Sequence, residues 1–193
     1  MYEVELKIRA SHDPIESALA KTDSTYVGHV KQRDTYYNAP HRDFATTDEA
    51  LRIRQEERDL PDADEDKTAS TTTELTYKGP RIDSTSKTRK EHEVAVANDT
   101  AAAAILDELG FDPAATVVKD RDIYTIKYTD DTTHTVVLDS VTDLGEFVEV
   151  EATTPTESDI PAVRSALDET LTVLGLDPDN QIRTSYLGLL LEE

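Results

Sequence analysis

Apolar and polar residues alternate strictly from Tyr2 to Ala10. Tyr2, Val4, Leu6, Ile8 and Ala10 fall on one face, and Glu3, Glu5, Lys7 and Arg9 fall on the other. That period predicts a half-buried β-strand. Asp13-Pro14-Ile15-Glu16 then predicts a short helix, with Asp13 as N-cap, Pro14 at N1 and Glu16 at N3. Strand pattern resumes over 25–37 and ends near Asn38-Ala39-Pro40. It returns over 50–55, where Arg52 and Arg54 oppose Leu51 and Ile53. The stretch 56–70, which contains Asp62-Ala63-Asp64-Glu65-Asp66, predicts an acidic surface loop.

Further strands are predicted over 72–78, broken by Gly79-Pro80, and over 88–96. Asn98 caps a predicted helix over 101–109 that Gly110 closes. Strands follow near 116–128 and 133–141, joined by an Asp130-Asp131 turn, and then near 146–153. Residues 159–174 predict an amphipathic helix ending at Gly175, and 181–191 a last short one. About eight strands with short connections and three or four helices predict an α+β fold. Its mostly antiparallel sheet is of a size to curl into a barrel.

Charge sits on these strand faces in pairs at i, i+2, the spacing that keeps two side chains on one side of a sheet. Glu3 and Glu5, Arg52 and Arg54, Glu91 and Glu93, Lys119 and Arg121, and Glu149 and Glu151 all follow it. On one strand alone, this is what any solvated antiparallel face shows. Repeated along the chain, it predicts a polar, water-filled barrel interior whose apolar outer faces pack under helices. Cations and carboxylates alternating around one cavity suit a triphosphate. Arg and Lys would contact the phosphate oxygens, and carboxylates would hold a hard Mg²⁺ or Mn²⁺ ion.

Composition limits the partners. The chain has 193 residues, with 41 acidic side chains against 20 Lys and Arg, for a net charge of −21. Such a surface disfavours nucleic acid and anionic membranes, and no apolar run approaches the ~20 residues of a membrane-spanning helix. The acid excess is Asp-rich and Lys-poor, which we read as adaptation to the salt-rich cytoplasm of an extreme halophile, where short screening lengths relieve self-repulsion. With no cysteine there is no disulfide framework, thiolate metal site or thiol nucleophile. The five histidines form no ligand spacing. The opening residues lack the basic start and apolar core of a signal peptide, so a cytoplasmic location is expected.

Several of these segments resemble one known family. Glu3-Val4-Glu5-Leu6-Lys7 is similar to the Glu-x-Glu-x-Lys signature of the CYTH superfamily, the triphosphate tunnel metalloenzymes. The likeness continues through Leu51-Arg52-Ile53-Arg54, Tyr77-Lys78-Gly79-Pro80-Arg81, Thr88-Arg89-Lys90-Glu91-His92-Glu93, Lys119-Asp120-Arg121 and Leu138-Asp139. It ends with Gly145-Glu146-Phe147-Val148-Glu149-Val150-Glu151 and Arg183-Thr184-Ser185-Tyr186. The ordered series most resembles the class IV adenylate cyclase branch. It implies one CYTH-like domain over 1–193, folded as a closed eight-stranded tunnel and usually paired as a homodimer.

By that resemblance, Glu3, Glu5, Asp139, Glu149 and Glu151 hold divalent metal. Arg52, Arg54, Lys78, Arg89, Lys119, Arg121 and Arg183 bind triphosphate oxygens. Lys7 and Glu5 are the expected catalytic pair; Lys7 either neutralises phosphate charge or orients or activates the nucleophile. The activity so implied is cyclisation of ATP to 3′,5′-cyclic AMP and pyrophosphate. One alternative is a triphosphatase acting on inorganic triphosphate, thiamine triphosphate or a nucleotide. A second is a non-catalytic polyphosphate- or nucleotide-binding module, against which the many carboxylates weigh.

Overall fold

The alternating segment at the start of the chain forms β1 (Tyr2–Arg9). The computed structural model describes residues 2–59, 69–81, 89–129 and 132–192. In these follow β2 (Ser24–Asn38), β3 (Ala50–Asp59), β4 (Ala69–Arg81), β5 (Arg89–Ala95), β6 (Asp112–Lys127), β7 (Thr133–Val141) and β8 (Gly145–Thr154). All neighbours pair antiparallel in the order β1-β5-β4-β3-β2-β6-β7-β8, and β8 pairs back onto β1. The sheet is therefore a closed barrel. Register between β1 and β8 runs from Tyr2↔Thr154 to Arg9↔Phe147, and among the described residues β1 meets β5 at Tyr2↔Lys90 and Glu3↔Arg89.

Among the described residues five α-helices lie outside the barrel: α1 (His12–Leu19), α2 (Phe44–Thr47), α3 (Asp99–Glu108), α4 (Ile160–Val173) and α5 (Tyr186–Glu192). They cover the apolar strand faces. Val4, Leu6 and Ile8 of β1 join Val136, Leu138, Val148 and Val150 beneath Ile15 and Leu19 of α1 and Leu167 and Leu171 of α4. Tyr37 and Ile53 pack against Leu106 of α3. At one end of the barrel the inward-facing Val117, Val141 and Phe147 pack instead with Leu144 and with Tyr186 and Leu187 of α5, forming an apolar plug. Most of the hydrophobic core thus sits between sheet and helices, and the inner face beyond that plug is polar.

Several boundaries differ from the sequence expectation. The cap of α1 is Ser11 rather than Asp13, which lies in the first turn, where its carboxylate complements the helix dipole. Strand β4 runs on through Gly79-Pro80 to Arg81, because a register shift after Lys78 absorbs the proline, which cannot donate to the ladder. Strand β3 extends to Asp59, into the segment predicted as loop. The acidic run 62–66 and the 130–131 turn lie outside the described residues. α5 begins at Tyr186 instead of Gln181. Its lead-in is an extended segment tied to β1 by a 2.6 Å bond from the Ile182 N–H to the Lys7 carbonyl. α2 had no apolar period to announce it; Asp43 starts it by accepting from the Ala45 N–H. Asn98 and Gly110 do cap α3 as predicted: the Asn98 side chain accepts from the Ala101 N–H, and Gly110 has φ +80°. Among the described residues, no helix is long and apolar enough to cross a membrane.

Leu167 is fully buried in the cluster beneath α4. Leu167→Ala is expected to lower unfolding free energy by about 2–5 kcal/mol in denaturant titration at high salt. A loss below about 0.5 kcal/mol would contradict placing the core outside the barrel.

Candidate active site

The inner faces of the strands enclose a cavity of about 250 Å³. It is lined by Glu3 and Glu5 of β1, Tyr36 of β2, Arg52 and Arg54 of β3, and Glu74 and Lys78 of β4. Arg89, Glu91 and Glu93 of β5, Lys119 and Arg121 of β6, and Glu149 and Glu151 of β8 complete the ring, with Ser185 and Tyr186. Among the described lining residues seven carboxylates meet six cations, so this lining is close to neutral in a chain of net charge −21. The acid excess therefore lies elsewhere, and the cavity can receive an anion.

Two clamps organise the cationic wall. Asp34 stands opposite Arg54 in the β2–β3 ladder. Its Oδ1 accepts from Arg54 Nε at 2.6 Å, and its Oδ2 from Arg54 Nη2 at 2.7 Å and Arg52 Nη1 at 3.2 Å. Burial alone would raise the Asp34 carboxyl, but the two guanidiniums outweigh it and hold the group well below the usual carboxylate range. In the second clamp, Arg121 Nε and Nη2 donate to the two oxygens of Asp139 at 2.8 and 2.7 Å, and Nη2 also reaches Glu149 at 2.7 Å. The Tyr186 hydroxyl donates to Asp139 Oδ2 at 2.9 Å. Lys119, 4% exposed, sits 3.8 Å from Asp139. Burial and then the neighbouring Arg121 charge lower its ammonium to about 8, against a partial rise from Asp139.

The facing wall is carboxylate-rich. Glu5 and Glu151 are direct partners across the β1–β8 ladder. Burial first, and then the Glu3 carboxylate with Glu149 and Glu5, push Glu151 up to about 8 despite the nearby Arg121. Lys78 bonds to Glu91 and lies 3.6 Å from Glu3. Among the described residues, no three His, Asp or Glu side chains already converge as a metal centre. The donor set nevertheless fits a hard cation: Glu3, Glu5, Glu149 and Glu151 offer only oxygen. The raised Glu151 carboxyl also reports a buried crowding of negative charge that a divalent ion would relieve.

Not every expected residue faces the lumen. Lys7 points inward, but lies at a level where Tyr186 closes the barrel. Its Nζ donates to the Thr184 carbonyl at 2.7 Å and lies 3.8 Å from the Tyr186 ring centroid. Asp139 is fully buried behind Arg121 and does not line the cavity. Arg89 lies at the rim, donating to the Asp48 and Gly79 carbonyls and to the Asp48 carboxylate. Arg183 lines an adjoining cavity rather than the lumen. Sequence reading assigned no role to Asp34, Glu74, Ser185 or Tyr186, and it read Tyr36 as core rather than base-stacking, whereas Tyr36 lines the cavity. The 30–36 alternation of Val30, Gln32, Asp34 and Tyr36 was the available signal for two of them.

Comparison with known proteins accords with this geometry. A protein of Methanocaldococcus jannaschii named "Putative adenylate cyclase MJ0240" is 34% identical over 190 residues, covering 98% of each chain. The solved PH1819 protein of Pyrococcus horikoshii is 39% identical, with a TM-score of 0.85 over 98% of each chain. The PH1012 protein of the same organism, at 22% identity and TM-score 0.75 over 96% of this chain and 97% of its own, shares the fold. The CYTH domain model matches residues 1–186, and the chain belongs to the CYTH domain family.

Proposed function

We propose that this protein is a divalent-metal-dependent enzyme that binds a nucleoside triphosphate in the barrel lumen and cyclises ATP to 3′,5′-cyclic AMP and pyrophosphate. The observation that carries the reading is the division of one closed cavity into a guanidinium-clamped wall and a carboxylate wall. The name of the M. jannaschii relative supports the cyclase over a triphosphatase.

In this scheme Arg52, Arg54, Lys119 and Arg121 hold the phosphate chain, with Lys78 and Arg89 at its rim. Asp34 and Asp139 fix the planes of the guanidiniums before substrate arrives, so little side-chain freedom is lost on binding. Glu3, Glu5, Glu149 and Glu151 would hold Mg²⁺ or Mn²⁺, which would supply positive charge against developing phosphate negativity. The ribose 3′-oxygen attacks the α-phosphorus in line as the bond to pyrophosphate breaks. The hydroxyl proton passes to water in the lumen, and Glu5 acts through the metal it would hold. Lys7 acts as a positioning residue: its buried ammonium holds the Thr184–Tyr186 segment against the lumen.

Incubation with ATP and Mn²⁺ at high salt is expected to release cyclic AMP and pyrophosphate. Orthophosphate from ATP, inorganic triphosphate or thiamine triphosphate, without cyclic AMP, would instead make it a triphosphatase. Glu5→Gln should lower turnover by about 100-fold or more while circular dichroism stays unchanged; an unaltered rate would remove Glu5 from the mechanism.

Asp34→Ala leaves two buried guanidiniums without their shared partner, so it should cost about 3–5 kcal/mol of stability. Because the Asp34 carboxyl is lowered in the fold, its contribution is present at neutral pH and disappears as acid protonates it. Wild type and variant should therefore converge in stability at low pH. A constant gap from pH 7 down to acid unfolding would contradict the pairing.

Lys119, lowered to about 8, carries its charge below that pH and loses it above. KM for ATP should rise with increasing pH as Lys119 loses its charge, and Lys119→Arg should remove that rise. An identical profile in both proteins would exclude Lys119 as the titrating contact.

A further inference from the structure

A strained residue stands at the rim of the lumen. Asp48 adopts a left-handed backbone, with φ 55° and ψ 38°, at the point where α2 ends. Glycine or asparagine is usual in that conformation, because a Cβ crowds the following carbonyl. The aspartate is kept there by its neighbours. Phe44 is buried, and its carbonyl accepts the Glu49 N–H at 2.9 Å, which closes the turn around Asp48. Glu49 in turn accepts two 2.8 Å bonds from Arg42 and another from the Tyr77 hydroxyl of β4. The turn is thereby fixed to the barrel wall.

This conformation aims two acceptors of one residue at one cation. The Asp48 carbonyl accepts from Arg89 Nη1 at 2.5 Å, and its Oδ1 accepts from Arg89 Nη2 at 2.8 Å. The Gly79 carbonyl accepts from Nη1 as well, at 2.9 Å. The N–H donors of a guanidinium lie in one rigid plane, and these contacts engage three of them. The Nε–H and one Nη2–H are left over. They share the side edge of the fork, whose spacing suits two oxygens of one phosphate. Arg89 lines the lumen and Asp48 does not, so the aspartate stands behind the arginine. Asp34 and Asp139 stand in the same relation to the arginines that they hold.

We propose that Asp48 is a positioning residue: it fixes the Arg89 guanidinium at the mouth of the lumen, with the free edge turned to the phosphate nearest the rim. This rests on the function proposed above. The strain at Asp48 has a use on this account. A glycine would make the same turn with less crowding and would still offer its carbonyl, but it would supply no carboxylate to hold Nη2 and set the plane of the guanidinium. An aspartate that merely competed with phosphate for Arg89 would act in the opposite sense, and its removal would tighten binding.

The test is calorimetry of methylene-bridged triphosphate with Mn²⁺ on the full chain, in a double-mutant cycle. Asp48→Gly keeps the turn and should weaken binding roughly 10-fold, the scale of one charge-assisted hydrogen bond. Asp48→Asn tolerates the left-handed backbone and keeps an acceptor oxygen, so it should recover most of that loss. Arg89→Gln should weaken binding by at least as much as Asp48→Gly. In the Arg89→Gln background, Asp48→Gly should cause no further loss, because Asp48 acts only through the guanidinium. Unchanged or tighter binding by Asp48→Gly, or a loss that adds in full to that of Arg89→Gln, would overturn the assignment and leave the lumen reading standing. Failure of wild type to bind the triphosphate analogue at all would instead defeat the lumen reading and with it this inference.

Discussion

Burying charge inside a closed barrel is the constraint on which the rest of the structure depends. An isolated guanidinium or carboxylate in this interior would cost several kcal/mol, so each is held in an ion pair or hydrogen-bonded network. Asp34 serves Arg52 and Arg54 together; Asp139 serves Arg121, Lys119 and the Tyr186 hydroxyl. These carboxylates do two things at once. They make the fold tolerable before ligand arrives, and they aim cations across the cavity. The hydrophobic energy that offsets their cost comes from the other side of the same strands, where Val4, Leu6 and Ile8 pack beneath α1 and α4. Fold and site are thus two faces of one alternation.

That alternation explains how much was legible beforehand. In β1 the contrast between Glu3, Glu5, Lys7 and Val4, Leu6, Ile8 names the inward and outward faces without ambiguity. The same holds for Arg52 and Arg54 and for Glu149 and Glu151. A period of two, however, tells which side of a sheet a residue occupies and nothing about its height along the barrel axis. Lys7 and Asp139 illustrate the difference: both are inward in register, yet one lies under Tyr186 and the other behind Arg121. Asp34 was missed because its strand mixes Thr, Tyr and Gln with single charges, so no i, i+2 pair marks its face. α5 was drawn too long because 181–185 carries no breaker; tertiary bonds to β1 keep it extended.

The global charge is a poor guide to what the lumen can accept. A net charge of −21 belongs to the whole chain, whereas the described lining of the cavity sets seven carboxylates against six cations, with Arg52, Arg54, Lys119 and Arg121 gathered on one side and Glu3, Glu5, Glu149 and Glu151 on the other. A metal ion at the carboxylates would turn a nearly neutral space into a cationic one, suited to a compact polyanion. Salt screens the exterior over short distances and the enclosed pairs far less, so surface and lumen can carry opposite preferences in one small protein.

The central claim is that one cavity holds metal on its β1–β8 wall and phosphate on its β3–β6 wall. A crystal of the protein with Mn²⁺ and methylene-bridged triphosphate, measured for manganese anomalous scattering, tests it most directly. The account predicts a manganese peak at direct ligand distance from carboxylates among Glu3, Glu5, Glu149 and Glu151, with phosphate oxygens on Arg52, Arg54, Lys119 and Arg121. Manganese and triphosphate both bound outside the lumen, with the Glu3, Glu5, Glu149 and Glu151 carboxylates unligated, would contradict it.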